Sequence, residues 1–357
     1  MVEWLAGNRI IGTTAERPTA SLQSPNVGGW KEIDRMTLGS VGDTITVSSL
    51  DNKKYYMVLG DKQPSGTADF NWRVGNGSAD PNDNYSRRQS SNGGTDTDNE
   101  GYNRMFADNG GSSTPSFQVG YFVNISGKQK LNITHSVSQG TAGAGTFPTR
   151  RESVNKWNNT SNPINVIQGV NVEGGDFAIG SEVVVLGWDP TDTHTDNFWE
   201  ELYSNELSTD NQNFDTSTIS AKKYLWLQFY QKGHTGNSYL KFNNATGYSR
   251  THSINGAADA NPVTSQSQLT NVLTGGTGDS QTFTNMFIIN TSAKDKLMIF
   301  ETTFNAGSST GVSNAPQHIK GACKWANTSA QITSVQVTDN GGAGFDTGSF
   351  LKIWGHD

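Results

Sequence analysis

Asp189, Asp192, His194 and Asp196 lie within eight residues of one another near the middle of the chain. Asp192, His194 and Asp196 alternate with threonines, so an extended backbone would turn all three to one side. Such an oxygen-rich set suits a hard cation, and calcium takes roughly six to eight oxygen ligands. Asp80-Pro-Asn-Asp83 and Asp96-Thr-Asp98-Asn-Glu100 have similar chemistry. Neither has EF-hand spacing, and Asp/Asn-rich turns are ordinary β connections. The linker set is therefore the preferred cation candidate, and whether it holds a metal stays open.

A second chemistry is sugar stacking. Trp72, Arg73 and Tyr102 could offer flat rings and a guanidinium to a glycan, and they fall in or beside long polar segments. Trp72 also sits in a strand-like run, which equally suits a core position.

Catalytic sets are harder to find. H-E-x-x-H, G-x-S-x-G, Walker A and C-x-x-C patterns are absent from the sequence. A glycosidase needs two carboxylates at matched separation. Glu152, Glu173 and Glu182 are available, but the matching positions of the second half hold Lys320, Gly341 and Phe350. The expectation is a non-enzyme without a cofactor.

These residues sit on a duplicated framework. Lys53-Lys54-Tyr55 returns as Lys222-Lys223-Tyr224, Lys156-Trp157 as Lys324-Trp325, and Tyr85-Ser86-Arg87 as Tyr248-Ser249-Arg250. A repeat offset of about 168 residues is a whole domain rather than a solenoid unit. The reading divides the chain into an arm at 1–29, a first copy at 30–189, a linker at 190–198 and a second copy at 199–357. Adjacent Arg87 and Arg88 would point to opposite faces of a strand, placing one in a buried ion pair or an interface. Trp157 and Trp325 suit a core or interface, with the neighbouring lysine lying over the ring edge.

Gly, Asn, Ser and Thr dominate the composition, which disfavours helices. Strand candidates in the first copy are 44–47, 55–59, 70–74, 85–88, 117–123, 131–137, 164–170 and 183–186. Alternation puts Phe117, Val119, Tyr121 and Val123 on one face. The fold class expected is all-β: two tandem jelly-roll-like β-sandwich domains with an extended N-terminal arm. The arm has no counterpart in the second half, and Trp4, Leu5, Ile10 and Ile11 give it apolar side chains to pack on something. The net charge of −7 argues against nucleic acid as a partner. One cysteine, Cys323, excludes an internal disulfide framework, and no signal peptide or membrane-inserting helix is read.

Trp4-Leu-Ala-Gly-Asn-Arg-Ile-Ile-Gly-Thr-Thr-Ala-Glu-Arg17 resembles the openings of uncharacterised tandem-repeat virion proteins of marine tailed phages and related prokaryotic viruses. Lys156-Trp-Asn-Asn-Thr-Ser161 and Gly180-Ser-Glu-Val-Val-Val-Leu-Gly-Trp-Asp-Pro190 share in that resemblance. It implies a particle component made in the host cytoplasm, and no particular site residues. On this reading the chain decorates a capsid or forms a head fibre or tail appendage. Its partners would be other virion proteins and copies of itself, in a closed cyclic assembly for which a trimer is the guess. A carbohydrate-binding module that recognises host-surface glycan is the alternative.

Overall fold

The computed structural model describes residues 29–108, 111–190, 192, 196–210, 212–233, 238–270, 272–273, 281–305 and 315–357. The arm residues Trp4, Leu5, Ile10 and Ile11 lie outside that set. Among the described residues every regular element is a strand.

Each copy contains one large and one smaller antiparallel sheet, and the first adds a two-stranded pairing of Pro64–Ser65 with Asp176–Phe177. The first large sheet runs, in spatial order, Lys31–Thr37, Glu182–Trp188, Tyr55–Lys62, Ser116–Val123, Lys130–Ser138, Thr149–Trp157, Tyr85–Ser91 and Thr97–Tyr102. The second repeats that order with Glu200–Glu206, Phe350–His356, Tyr224–Gln231, Thr282–Ile289, Lys296–Phe304, Gln317–Trp325, Tyr248–Ile254 and Ala260–Gln266. The smaller sheets centre on Val166–Val170 beside Asn71–Asn76, and on Val335–Asp339 beside Ser238–Phe242. All eight expected strands of the first copy form, most with slightly different ends.

A β-sandwich core fills each copy. Ile45, Val47, Phe70, Trp72, Val74, Tyr85, Phe122, Trp157, Val183 and Val185 pack together in the first. Phe214, Phe229, Leu240, Phe242, Tyr248, Met286, Ile288, Trp325, Val337 and Leu351 do so in the second. Glycines make room for the largest rings: a Cβ on Gly169 would stand 2.6 Å from Phe70, and one on Gly60 would stand 3.0 Å from Trp72.

The repeated Tyr-Ser-Arg motif is structural. The Tyr85 hydroxyl accepts the Val74 N–H and donates to its carbonyl, closing a loop; Tyr248 does the same with Phe242. Arg87 and Arg250 are both buried. Among the described residues Arg87 has no ion-pair partner: its guanidinium lies over the rings of Phe106 and Tyr102, 2.9 and 3.9 Å from their centroids. Burial pushes its pKa down to about 10.

A third core lies between the copies. Met57, Leu59, Phe117, Val119, Val137, Val184 and Leu186 of the first large sheet meet Trp199, Tyr224, Phe287, Ile289, Leu297, Ile299 and Trp354 of the second. The large sheets thus face each other, and a small sheet backs each of them. The alternation divides one strand between two cores. Phe117 and Val119 share a face as expected, yet that face packs on the other copy, while Phe122 on the opposite face fills the sandwich core.

Candidate binding site

The large sheets do not cover one another completely. Cross-strand pairing aligns Leu186, Met57, Tyr121, Ile133, Val154, Arg88 and Asp98 in one row across the first sheet. The corresponding row of the second sheet is Trp354, Trp226, Phe287, Ile299, Ala322 and Thr251. A neighbouring row holds Val123, Leu131 and Lys156 in the first sheet, and Ile289, Leu297 and Lys324 in the second.

Burial separates these matched positions. Leu297, Ile299 and Ala322 are 2%, 7% and 0% exposed, whereas Leu131, Ile133 and Val154 are 53%, 50% and 49% exposed. The first sheet therefore leaves bare the face that its twin covers. The uncovered face forms an open groove of about 560 Å³, floored by Tyr121, Val123, Leu131, Ile133 and Val154. Arg88, Asp98, Glu100 and Lys156 line its far side. Arg88 is paired with Asp98 at 3.0 Å, and both are exposed. Contiguous apolar surface with a polar margin marks an interaction site more often than an accident of packing.

What covers the second sheet is visible. Besides the apolar contact, the Lys324 ammonium donates to the carbonyls of Gln139 and Thr141, in a loop of the first copy, at 3.0 and 2.7 Å. Burial lowers its pKa to about 8. Lys156, its twin, lies on the open groove instead. Further links close the same side of the interface. Arg150 Nη2 is 2.6 Å from Asp259 Oδ1, Lys223 Nζ is 3.0 Å from Glu182 Oε1, and the Tyr224 hydroxyl donates to that oxygen at 2.7 Å.

The sites expected from sequence fare differently. Trp72 is wholly buried in the first core, edge-on to Phe70 with centroids 4.7 Å apart, so it cannot meet a glycan from outside. Arg73 donates from Nε to the Asn103 carbonyl at 2.9 Å, and Tyr102 packs on Arg87 and Phe106. The trio is no stacking platform, because Trp72 points into the core and Tyr102 is engaged by its neighbours. The carboxylates of the cation set are each engaged by a lysine. Asp192 takes the Lys53 ammonium at 2.5 Å, Asp189 lies 3.7 Å from Lys54, and Asp196 lies 3.0 Å from Lys31. His194 lies outside the described residues. Among the described residues no three His, Cys, Asp or Glu side chains gather as a metal site. The three glutamates also go separate ways: Glu152 bonds Arg150, Glu182 bonds Lys223 across the interface, and Glu173 is exposed.

Sequence reading missed the groove because its floor looks like core. Leu131, Ile133 and Val154 have the residue types and period of a buried face, and only the paired copy shows which side is covered. The strand Thr149–Trp157 was missed for a related reason. Arg150, Glu152 and Lys156 share its outer face with Val154, so its apolar alternation is broken. A comparison of Leu131 with Leu297 and of Ile133 with Ile299 could have flagged the positions, though not their difference in exposure.

Against known proteins, no family model matches the chain, and no curated protein matches it. Among solved structures, it is similar to the mouse laminin alpha1 chain, domains LG4-5, at 10% identity and a TM-score of 0.20, over 92% of this chain and 90% of that one. A superposition that loose carries no argument about fold or ligand.

Proposed function

We propose that this chain is a structural subunit of a virus particle that works by binding, not by turnover, and that the bare face of its first sandwich is a principal contact. The observation that supports this is the contrast between Leu131, Ile133 and Val154, which are exposed, and their covered twins Leu297, Ile299 and Ala322. A face built like an interface and left open is a surface for assembly. The groove offers little to a hydrolytic mechanism. Its carboxylates, Asp98 and Glu100, are exposed, and Asp98 is held by Arg88.

On this reading the chain is made in the host cytoplasm and joins other virion proteins, and the second sandwich stabilises the first by covering half of its large sheet. Co-expression with the particle proteins tests it. The chain should co-sediment with particles, and Ile133→Asp should remain folded but stay in the supernatant. A chain absent from purified particles would sink the proposal.

Glycan recognition is the second reading, and the exposed Tyr121 ring with Arg88, Asn132 and Lys156 around the same groove favours it. The aliphatic floor weighs against it, since sugar rings stack on aromatic faces. Glycan-array binding abolished by Tyr121→Ala would reverse that preference.

A further inference from the structure

We propose that the groove of the first sandwich is the seat for the N-terminal segment of a second copy of this chain, with Trp4, Leu5, Ile10 and Ile11 as the side chains that enter it. The inference rests on the subunit reading above and names the partner.

Three observations point to this occupant. The first is how the fold covers the equivalent face. The second sheet's Leu297, Ile299 and Ala322 are covered by apolar side chains of another sandwich, while a loop supplies backbone carbonyls to Lys324. An extended polypeptide would offer the same two things to Leu131, Ile133, Val154 and Lys156. The second is composition. The stretch Met1-Val-Glu-Trp-Leu-Ala-Gly-Asn-Arg-Ile-Ile11 is mostly apolar and carries one acid, Glu3, and one base, Arg9. The far side of the groove carries both signs, as Arg88 and Lys156 with Asp98 and Glu100, so each charge has a possible opposite there.

The third observation is that the segment is long enough to reach a neighbour. The described chain begins at the rim: the Trp30 ring lies 6.5 Å from that of Tyr121. From Tyr121 to Asp98 the row crosses five strands, a width of about 19 Å at the usual strand spacing. Nineteen residues separate Ile11 from Trp30, a reach of roughly 60 Å when extended. Pro18 and Pro25 in that stretch favour extension. That reach exceeds the groove's width severalfold, so the apolar residues can enter the groove of a neighbour.

The test is complementation by two chains that are each defective in one half of the contact. Sedimentation velocity of the full chain should show self-association. Deletion of residues 1–28 should abolish it, and so should Leu131→Asp with Ile133→Asp, each protein keeping its β circular-dichroism spectrum and melting transition. Mixed together, the two should form a heterodimer, because the groove variant still supplies a segment and the deleted chain still supplies a groove. Self-association that survives both changes would overturn the proposal. So would a monomeric full chain whose groove strands gain hydrogen exchange only when residues 1–28 are removed, since the segment would then sit on its own chain. Variants that self-associate normally but fail to join particles would remove the segment as occupant and leave the subunit reading standing. Complementation by a chain never found in particles would do the reverse.

Discussion

His135 and Glu301 occupy the same place in the two copies and face each other across the middle of the molecule, with Nδ1 and Oε1 3.3 Å apart. Contact between equivalent residues marks where a two-fold axis would pass if the copies were identical. They are not identical, and the contacts around this point are unequal. On one side Lys324, Arg150 and Lys223 tie the copies together. On the other, the groove floor of the first sheet stands open. Duplication thus built something close to an internal dimer, and divergence left half of one face without a partner.

Matched substitutions measure that asymmetry. Ile299→Asp buries a charge in the closed interface and should cost about 3–5 kcal/mol. Ile133→Asp, at the twin position, should change stability by less than about 1 kcal/mol. Chemical denaturation of the two variants decides it, and equal losses would mean that the groove is covered within the monomer.

The twin lysines give a second comparison. Lys324→Met removes the donor to two loop carbonyls and should destabilise by about 1–3 kcal/mol, the cost of buried acceptors left unmet. Lys156→Met should fall within about 0.5 kcal/mol. Hydrogen exchange should also quicken at Thr141 and its neighbours in the first variant and not in the second.

Much of this architecture was legible in the sequence. The repeat marks two copies, and alternation such as Phe117, Val119, Tyr121 and Val123 names residues that share a face. Which neighbour a face meets is not local information. Val119 and Tyr121 alternate alike, yet Val119 is buried against the second copy while Tyr121 is exposed on the groove floor. Trp72 fails as a ligand residue because it lies in the core, where Gly60 and the distant Gly169 leave room for it and for Phe70. The acidic linker's carboxylates meet Lys31, Lys53 and Lys54, which come from strands and turns more than a hundred residues away and which the local sequence does not announce.

Lys62 and Asp108 form an ion pair at 2.8 Å with both side chains essentially inaccessible. Lys62 also donates to the Ala68 carbonyl at 2.8 Å, and Ser116 donates to Asp108 at 3.2 Å. Lys62→Met would leave a buried carboxylate without its cation and should cost about 3–5 kcal/mol. Lys62→Met with Asp108→Leu should recover most of that loss, since the desolvation cost of both charges disappears together. A double variant no more stable than the single one would show that the pair holds the Ala68 to Ser116 region in place beyond its own charge balance.

Acid should destabilise the fold through its buried histidines. Burial lowers the pKa of His252 to about 4, and the nearby Arg250 and Arg150 cations push the same way against the opposing pull of Asp259. Burial lowers His135 and His318 too; Glu301 and Glu152 oppose this in both, while Lys320 and Arg150 add to it. A depressed folded-state pKa means that the folded chain binds fewer protons than the unfolded one. The stability these groups contribute is then complete above the unfolded value near about 6.5 and is lost as pH falls toward the folded value. For His252 the full loss is on the order of 3 kcal/mol between about pH 6.5 and 4. Denaturation of the native chain and of His252→Asn across that range should give a flatter pH dependence for the variant. Identical slopes would assign acid sensitivity to the carboxylates, and protonated His252 would then have to be accommodated beside Arg250.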